Sequence, residues 1–272
     1  MIRLTVLGSG SRGNACVLEA DGATLLLDAG FSAREIERRA ECAGVGLGQL
    51  AGIVLTHEHG DHAEGALRLA ARRGVPVLTS GGTWHALGAP SGIEHRRIGS
   101  GRSATCGPFR VEACSLLHDA AEPLAVAATA RGTRVAVAYD FGRPTQTLRY
   151  FLRYANAVVV ESNYDEVLLR TSDYPASVQH RIAGSGGHLS NRATAALLEE
   201  LVHPGLGAVV LAHLSQQCNT ASAARQTVEP VLRAAGFTGT LAVAIQETPL
   251  HPIPLSGLGS SRQQPDLFDP VD

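Results

Sequence analysis

The sequence predicts an α/β fold in which two β-sheets pack on each other and the helices lie outside them. Strand and helix patterns alternate near the start of the chain and again in its second half. The segment between them, about residues 93–139, carries mostly strand patterns. The 272 residues, 44% of them hydrophobic, are enough for one large domain or two small ones.

The N-terminal elements begin with a strand and a hairpin. Asp21-Gly22 separates two short apolar runs, which is a strong signal for a tight turn between antiparallel strands. The predicted strands are 4–7, 16–19, 24–27, 53–55 and 75–78, and the predicted helices are 32–43 and 63–73.

The second half continues with strands and then alternates helices with strands. Ser190 is a suitable N-cap for one of these helices. The predicted strands are 109–117, 124–129, 134–139, 157–160, 208–211 and 240–245, and the predicted helices are 145–154, 190–201 and 220–235. Because the composition changes after residue 248, we expect one domain at 1–248 and a flexible C-terminal tail at 249–272.

Charge and cysteine usage limit the function classes. All 23 basic residues are arginine, and the net charge of −2 argues against a generic polyanion-binding protein. A nucleic-acid substrate would therefore need local arginines and metal ions to attract it. The five cysteines form no C-x-x-C pair, which favours reduced thiols in the cytoplasm. No signal peptide or membrane-spanning run is evident, so we expect no membrane partner.

The most informative segment is the loop at 57–62, where the pattern is H-x-H-x-D-H. Imidazole nitrogens and carboxylate oxygens are the usual ligands of Zn²⁺ and similar ions. His57 and His59 can reach one metal position, and Asp61 and His62 can reach a second. The metalloprotease pattern H-E-x-x-H fails because Asp61 stands where its second histidine is required. The alternative is a solvated polar loop.

Three further candidate ligands stand where apolar strands end: His118, Asp140 and His213. A polar group just past a buried strand is where loop-borne sites are built. Taken singly, each could instead be a capping aspartate or a hydrogen-bonded histidine. Together with the loop at 57–62 they complete a set for two metal ions.

The glycine-rich segment 8–13 matches G-x-G-x-x-G but does not predict a dinucleotide site. That site needs a helix to follow, whereas a strand, a turn and a strand follow here. The segment is either a tight turn or a loop whose backbone N–H groups meet an anion beside the metals. Ser11, Arg12 and Asn14 are its candidate substrate-binding residues.

These motifs together resemble metallo-β-lactamase-fold hydrolases, over nearly all of residues 1–246. The resemblance implies an αββα sandwich, with a strand ending at Asp28 that supports the metal loop. It also implies two divalent metal ions, with Zn²⁺ the first choice and Mn²⁺ or Fe the alternatives. The implied ligands are His57, His59 and His118 for one metal, Asp61, His62 and His213 for the other, and Asp140 as a bridge.

Within that superfamily the chain is most similar to the YycJ (WalJ) type of DNA exonuclease, which is related to tRNase Z. The matching segments are 9–14, 118–123, 161–165, 187–191 and 212–215. In tRNase Z-like phosphodiesterases, a glutamate after a strand pairs with a histidine that protonates the leaving oxygen. Glu161 and His188 fit this pair. The residues after Glu161 differ from the usual family sequence, and a carboxylate paired with arginine is the alternative for Glu161.

The resemblance implies a metal-dependent phosphodiesterase acting on DNA as an exonuclease. Its nucleophile would be a hydroxide shared by the two metals and oriented by Asp61. One alternative is an RNA endonuclease of tRNase Z type, although the long RNA-gripping insertion of that family is not evident. Another is a thioester or lactam hydrolase, which has no use for the Glu161–His188 pair.

The tail carries one further motif. Gln264, Leu267 and Phe268 resemble the short peptide by which bacterial DNA enzymes dock on the sliding clamp. Two apolar anchors on an extended tail suit capture by a pocket of a partner. The alternative is an acidic tail without a partner.

Overall fold

Two seven-stranded sheets face each other in the computed structural model, which describes residues 2–99 and 101–255. Helices cover the outer face of each sheet, so the predicted αββα sandwich is confirmed. One apolar cluster fills the space between the sheets, with Leu4 and Val6 of the first sheet against Val126 and Val137 of the second. Two further clusters lie between each sheet and its own helices.

The first sheet is antiparallel through its first three strands and parallel thereafter. Its first six strands in chain order are β1 (Ile2–Gly8), β2 (Ala15–Ala20), β3 (Ala23–Leu27), β4 (Leu50–Val54), β5 (Val77–Thr79) and β6 (His95–Arg97). The helices that accompany it are α1 (Ala33–Cys42), α2 (Gly60–Ala63), α3 (Ala66–Arg73) and α4 (Gly81–Ala86).

The second sheet is antiparallel from β7 to β10 and parallel from β10 to β13. Its strands are β7 (Ala104–Cys106), β8 (Phe109–Ser115), β9 (Leu124–Ala130), β10 (Thr133–Ala138), β11 (Ala157–Glu161), β12 (Ala208–Ala212) and β13 (Thr240–Val243). Its helices are α5 (Gln146–Leu152), α6 (Glu166–Arg170), α7 (Ala176–Ala183), α8 (Asn191–Leu201) and α9 (Ala221–Ala234).

Local sequence explains these elements. Every residue of β11 and β12 is buried, as continuous apolar runs in parallel strands require. Ser190 is the N-cap of α8, as predicted, and its hydroxyl accepts a hydrogen bond from the Ala193 N–H. Ile36 and Ala40 lie four residues apart on the buried face of α1. None of the helices within 2–99 and 101–255 is long and apolar enough to cross a membrane.

The structure extends the packed chain beyond the predicted domain boundary at residue 248. A last strand, β14 (Ile253–Pro254), pairs with β1 at the edge of the first sheet. Leu255 is 1% exposed, and its N–H donates to the Ile2 carbonyl. Residues 249–255 therefore belong with the domain, because their backbone groups and apolar side chains are used in the sandwich. Gln264, Leu267 and Phe268 lie outside the described residues.

Candidate active site

A cavity of about 240 Å³ lies where loops from both sheets meet. The parallel strands β3 and β4 of the first sheet, and β10, β11 and β12 of the second, all end beside it. Polar side chains follow these ends, as expected for a site built on parallel strands. The residues that line the cavity are Ser11, His59, Asp61, His118, Asp119, Asp140, Arg181, Ile182, Gly186, Gly187, His188 and His213.

Asp28 supports the loop at 57–62 through hydrogen bonds to Thr56 and His62, as predicted. Its Oδ1 accepts from the Thr56 N–H at 2.8 Å, and its Oδ2 accepts from the Thr56 hydroxyl at 2.9 Å. His62 Nδ1 lies 2.7 Å from the same Oδ2. A carboxylate can only accept, so His62 carries its hydrogen on Nδ1. The Nε2 atom of His62 is thereby directed toward the centre of the site.

Thr56 fixes the orientation of His57 by the same reasoning. Since its hydroxyl hydrogen goes to Asp28, its oxygen is free to accept from His57 Nδ1, which lies 3.0 Å away. His57 then presents the Nε2 lone pair, which lies 3.1 Å from His59 Nδ1. Burial, together with the charge of His62, holds the pKa of His57 well below its usual range. His57 is therefore neutral, the form in which an imidazole binds a metal.

His57, His59 and His118 form one cluster. The ring centroids are 4.6 Å apart for His57 and His59, 5.3 Å for His57 and His118, and 5.2 Å for His59 and His118. His118 Nδ1 lies 3.1 Å from the Gly186 carbonyl, which can only accept, so its Nε2 is the free nitrogen. Each of the three offers one ligand atom, and these atoms lie within 4.8 Å of one another.

Asp61, His62 and His213 form a second cluster of the same kind. Asp61 Oδ2 lies 3.4 Å from His213 Nε2 and 3.5 Å from His62 Nε2. The two histidines are buried, and the Asp61 side chain is 25% exposed. The residues come from one short loop and from the end of β12, so the packing of the two sheets brings them together.

Asp140 lies between the two clusters. Its Oδ2 is 2.9 Å from His62 Nε2 and 3.4 Å from His57 Nε2. Its side chain is 4% exposed. Oδ1 has no well-directed hydrogen bond among the described residues, although His213 Nδ1 is only 3.0 Å away. A buried carboxylate with this arrangement can face two cations at once.

Asp140 and His213 take an unusual backbone conformation directly after their strands. Both have φ of 53°, in the left-handed region that non-glycine residues seldom adopt. Asp28 has φ of 57°. Such conformations cluster at functional sites, where surrounding contacts hold a side chain in a required direction.

Glu161 and His188 form the pair that the sequence predicted. Glu161 is 0% exposed, and its Oε1 accepts from His188 Nδ1 at 2.7 Å. The same oxygen lies 2.9 Å from His213 Nδ1, and Oε2 accepts from the Phe141 N–H at 3.1 Å. Glu161 thus orients two histidines. Since its Nδ1 faces Glu161, His188 presents Nε2 to the cavity.

The carboxylates favour positive charge on three of the histidines. Burial opposes the charged form of His188, but Glu161 and Asp140 outweigh it and raise its pKa to about 10. Burial likewise opposes protonation of His213, yet Asp140, Asp61 and Glu161 raise its pKa to about 9. Burial also opposes protonation of His62, yet Asp28 and Asp140 raise its pKa well above the usual value. The donor set therefore fits cations: it combines imidazole nitrogens with buried carboxylates that require nearby positive charge.

The three candidate substrate-binding residues of the glycine-rich loop lie in different environments. Ser11 lines the cavity. Arg12 is exposed, and its guanidinium lies 3.5 Å from the Glu247 carboxylate. Asn14 is 0% exposed, and its amide bonds within the loop and to the Asp61 carbonyl at 3.2 Å. The polar atoms of Asn14 are used in hydrogen bonds next to the metal loop, and its contact with substrate stays a prediction.

Sequence reasoning missed the groups that fix the His118 loop. Glu58 Oε1 accepts from the Ala121 N–H at 2.7 Å, and its Oε2 accepts from the Thr83 hydroxyl at 3.3 Å. The Gly186 carbonyl, in the segment between α7 and α8, orients His118. Glu58 carried one available signal, because it lies inside the metal motif. A backbone carbonyl carries none.

The fold and the site define the class of this protein, a hydrolase of the metallo-β-lactamase fold. In the crystal structure of YhfI from Bacillus subtilis, a metallo-β-lactamase fold protein, the same architecture appears with a TM-score of 0.68. That chain is 18% identical, and the match covers 92% of this chain and 98% of YhfI. A match at this identity establishes the fold.

The chain belongs to the family described as Beta-lactamase superfamily domain, whose model matches residues 23–214. Exodeoxyribonuclease YycJ of Bacillus anthracis is 34% identical over 251 residues, which cover 91% of this chain and 95% of that protein. Exodeoxyribonuclease WalJ of Streptococcus pneumoniae is 28% identical over 239 residues, covering 83% and 86%. The fold implies divalent metal ions, and these relatives are named as enzymes of DNA.

Proposed function

We propose that this protein is a metal-dependent phosphodiesterase that degrades DNA as an exonuclease. The observation that carries the proposal is the Glu161–His188 pair, placed beside two ligand clusters in one cavity. A hydrolase of thioesters or lactams has no need of such a proton donor. The names of the YycJ and WalJ relatives favour DNA.

Two divalent ions per chain are part of the proposal, with Zn²⁺ first and Mn²⁺ or Fe as alternatives. His57, His59 and His118 would hold one ion, Asp61, His62 and His213 the other, and Asp140 would face both. When bound, such ions supply a water of lowered pKa and neutralise charge on phosphate oxygens. Asp61, the most exposed carboxylate of the set, is placed to orient the nucleophile.

His188 would deliver the proton that the leaving oxygen needs. Its Nδ1 hydrogen goes to Glu161, so the proton for transfer is on Nε2. The Glu161 carboxylate stabilises the imidazolium form of His188 and raises its pKa. Its side chain is 24% exposed at the cavity, so a strand entering from solvent can reach it.

A substrate panel tests the proposal. Metal-loaded protein is incubated with end-labelled single- and double-stranded DNA, with RNA of the same sequence, and with a chromogenic thioester. We expect progressive shortening of DNA from an end, weaker action on RNA and none on the thioester. His59→Ala serves as the control for a contaminating nuclease. Preferred internal cleavage of RNA would support a tRNase Z-type enzyme instead, and turnover of the thioester alone would overturn the proposal.

The C-terminal motif is proposed to bind a sliding clamp through Gln264, Leu267 and Phe268. Support comes from the sequence, since these residues lie outside the described ones. Two apolar anchors could contribute roughly 3–6 kcal/mol before ordering costs, so we expect micromolar affinity as an order of magnitude. A labelled peptide covering residues 262–272 is titrated against the clamp. Equal binding by a peptide with Leu267 and Phe268 changed to alanine would contradict the proposal.

The cytoplasm is the proposed location, because the five cysteines show no disulfide-type pairing in the sequence and DNA is the proposed substrate. Cell fractionation with an antibody against the protein tests this directly.

A further inference from the structure

One cation at the cavity has no part in the mechanism above. Arg181, in the last turn of α7, is the one arginine among the described residues that line the cavity. Three of the other lining side chains are the carboxylates of Asp61, Asp119 and Asp140. A polyanionic strand needs positive charge along its path, and in a protein of net charge −2 this charge must be local.

Arg181 is free to bind an anion. It is exposed, and its guanidinium has no hydrogen bond or ion pair with any residue in 2–99 or 101–255. Arg12, near the same cavity, differs because its guanidinium lies beside Glu247 and within reach of Gln216. Guanidinium groups match phosphate oxygens with two parallel hydrogen bonds, so an unpaired arginine here suits phosphate.

The backbone of Arg181 is fixed relative to the proposed proton donor. The His188 N–H donates to the Ile182 carbonyl at 2.8 Å. Gly187 packs so closely that a Cβ there would lie 2.2 Å from the Arg181 carbonyl oxygen. The end of α7 and the segment carrying His188 are therefore one packed unit. Arg181 and His188 both line the cavity, so a strand whose scissile phosphate reaches His188 comes near Arg181.

We propose that Arg181 binds a phosphate next to the scissile one and so holds the DNA strand in the cavity. This inference rests on the proposed function. The scissile phosphate faces the ligand clusters and His188, whereas Arg181 lies at the exposed rim. Its loss should therefore weaken substrate binding more than it slows the chemical step.

The experiment compares Arg181→Gln and Arg181→Lys with Arg68→Gln, which removes the same charge from the exposed side of α3, away from the cavity lining. KM and kcat for a single-stranded oligonucleotide are measured between 50 and 200 mM NaCl. We expect Arg181→Gln to raise KM roughly tenfold with kcat within about twofold. The slope of log KM against log salt should fall by about 0.7, the value for one lost phosphate contact on a single strand.

The two companion variants sharpen the result. Arg181→Lys should keep most of the salt slope because it keeps the charge, and Arg68→Gln should match wild type in KM and slope. An unchanged salt slope in Arg181→Gln, or an equal loss in Arg68→Gln, would overturn the role of Arg181. Failure of the wild-type enzyme to cut DNA would instead remove the proposed function. Oligonucleotide binding by fluorescence anisotropy still tests Arg181 in that case.

Discussion

The loop at 57–62 and the carboxyl ends of strands in the second sheet contribute to the same cavity in different ways. In the loop, four candidate ligands come from the six consecutive residues 57–62, which follow β4 and run into the start of α2. On the second sheet, Asp140 and His213 follow β10 and β12, and Glu161 is the last residue of β11. His188 comes from the segment between α7 and α8. The first group depends on a local turn, and the second depends on strand register.

This difference determines how each region responds to change. Glu161 pairs with Ala212 across β11 and β12, so a register shift of one residue would move His213 away from it. Glu161 Oε1 also serves both His188 and His213. Substitutions on the second sheet should therefore be coupled, whereas substitutions in the loop should act on one ligand cluster at a time.

The largest effect should come from Asp140, where the two regions meet. Asp140→Ala removes a carboxylate that faces both clusters, so we expect loss of both metals and a fall in DNA hydrolysis of roughly 10³-fold or more. His59→Ala should weaken mainly the first cluster. Elemental analysis of each variant, with its hydrolysis rate, makes the comparison. Wild-type metal content in Asp140→Ala would contradict its placement between the two ions.

The next effect separates proton transfer from metal binding. His188→Ala should keep its metals and lose roughly 10²–10⁴-fold in rate, because general acid catalysis is typically worth that much. Metal analysis and turnover on a natural phosphodiester measure the two properties. A variant that loses metal would assign His188 to the ligands, and a variant with full rate would exclude it as proton donor.

A smaller effect should follow from the support beneath the loop. Asp28→Asn leaves one acceptor oxygen where the carboxylate offers two, which serve the Thr56 N–H, the Thr56 hydroxyl and His62 Nδ1. Loss of such a supporting partner typically costs 10–100-fold in metal affinity. Competition with a chelator measures this, and circular dichroism checks the fold. Unchanged metal retention would mean that the loop holds His62 without Asp28.

The smallest predicted effect concerns Glu58. Glu58→Ala removes the acceptor of the exposed Ala121 N–H and should lower the free energy of unfolding by roughly 0.5–1.5 kcal/mol, with a few-fold effect on rate. Glu58→Gln is the matched control, because its amide oxygen can still accept. Chemical denaturation compares the two. An equal loss in both would show that charge, rather than the hydrogen bond, is what matters.

The two regions also differ in what could be predicted from sequence. The ligands at 57–62 were readable because their spacing alone indicates a metal. His118, Asp140 and His213 were readable as strand-end residues, and the resemblance to known hydrolases grouped them. The assigned positions in the structure agree with that grouping, while their binding roles remain predictions.

What could not be predicted depends on contacts distant in sequence. Asn14 resembled an exposed polar loop residue in the sequence. Its burial comes from the distant Asp61 segment, and the residues next to Asn14 in sequence do not indicate it. β14 was missed because two residues give no periodicity and its partner, β1, is at the other end of the chain. β6 and β7, three residues each, were missed for the same lack of pattern.

The metal content of the wild-type protein tests the account most directly, since the two regions are proposed to meet around two ions. Protein purified without chelator is supplied with Zn²⁺ or Mn²⁺ and weighed intact by native mass spectrometry. We expect two divalent ions per chain. A reproducible value of one or none after metal addition would contradict the two-ion site.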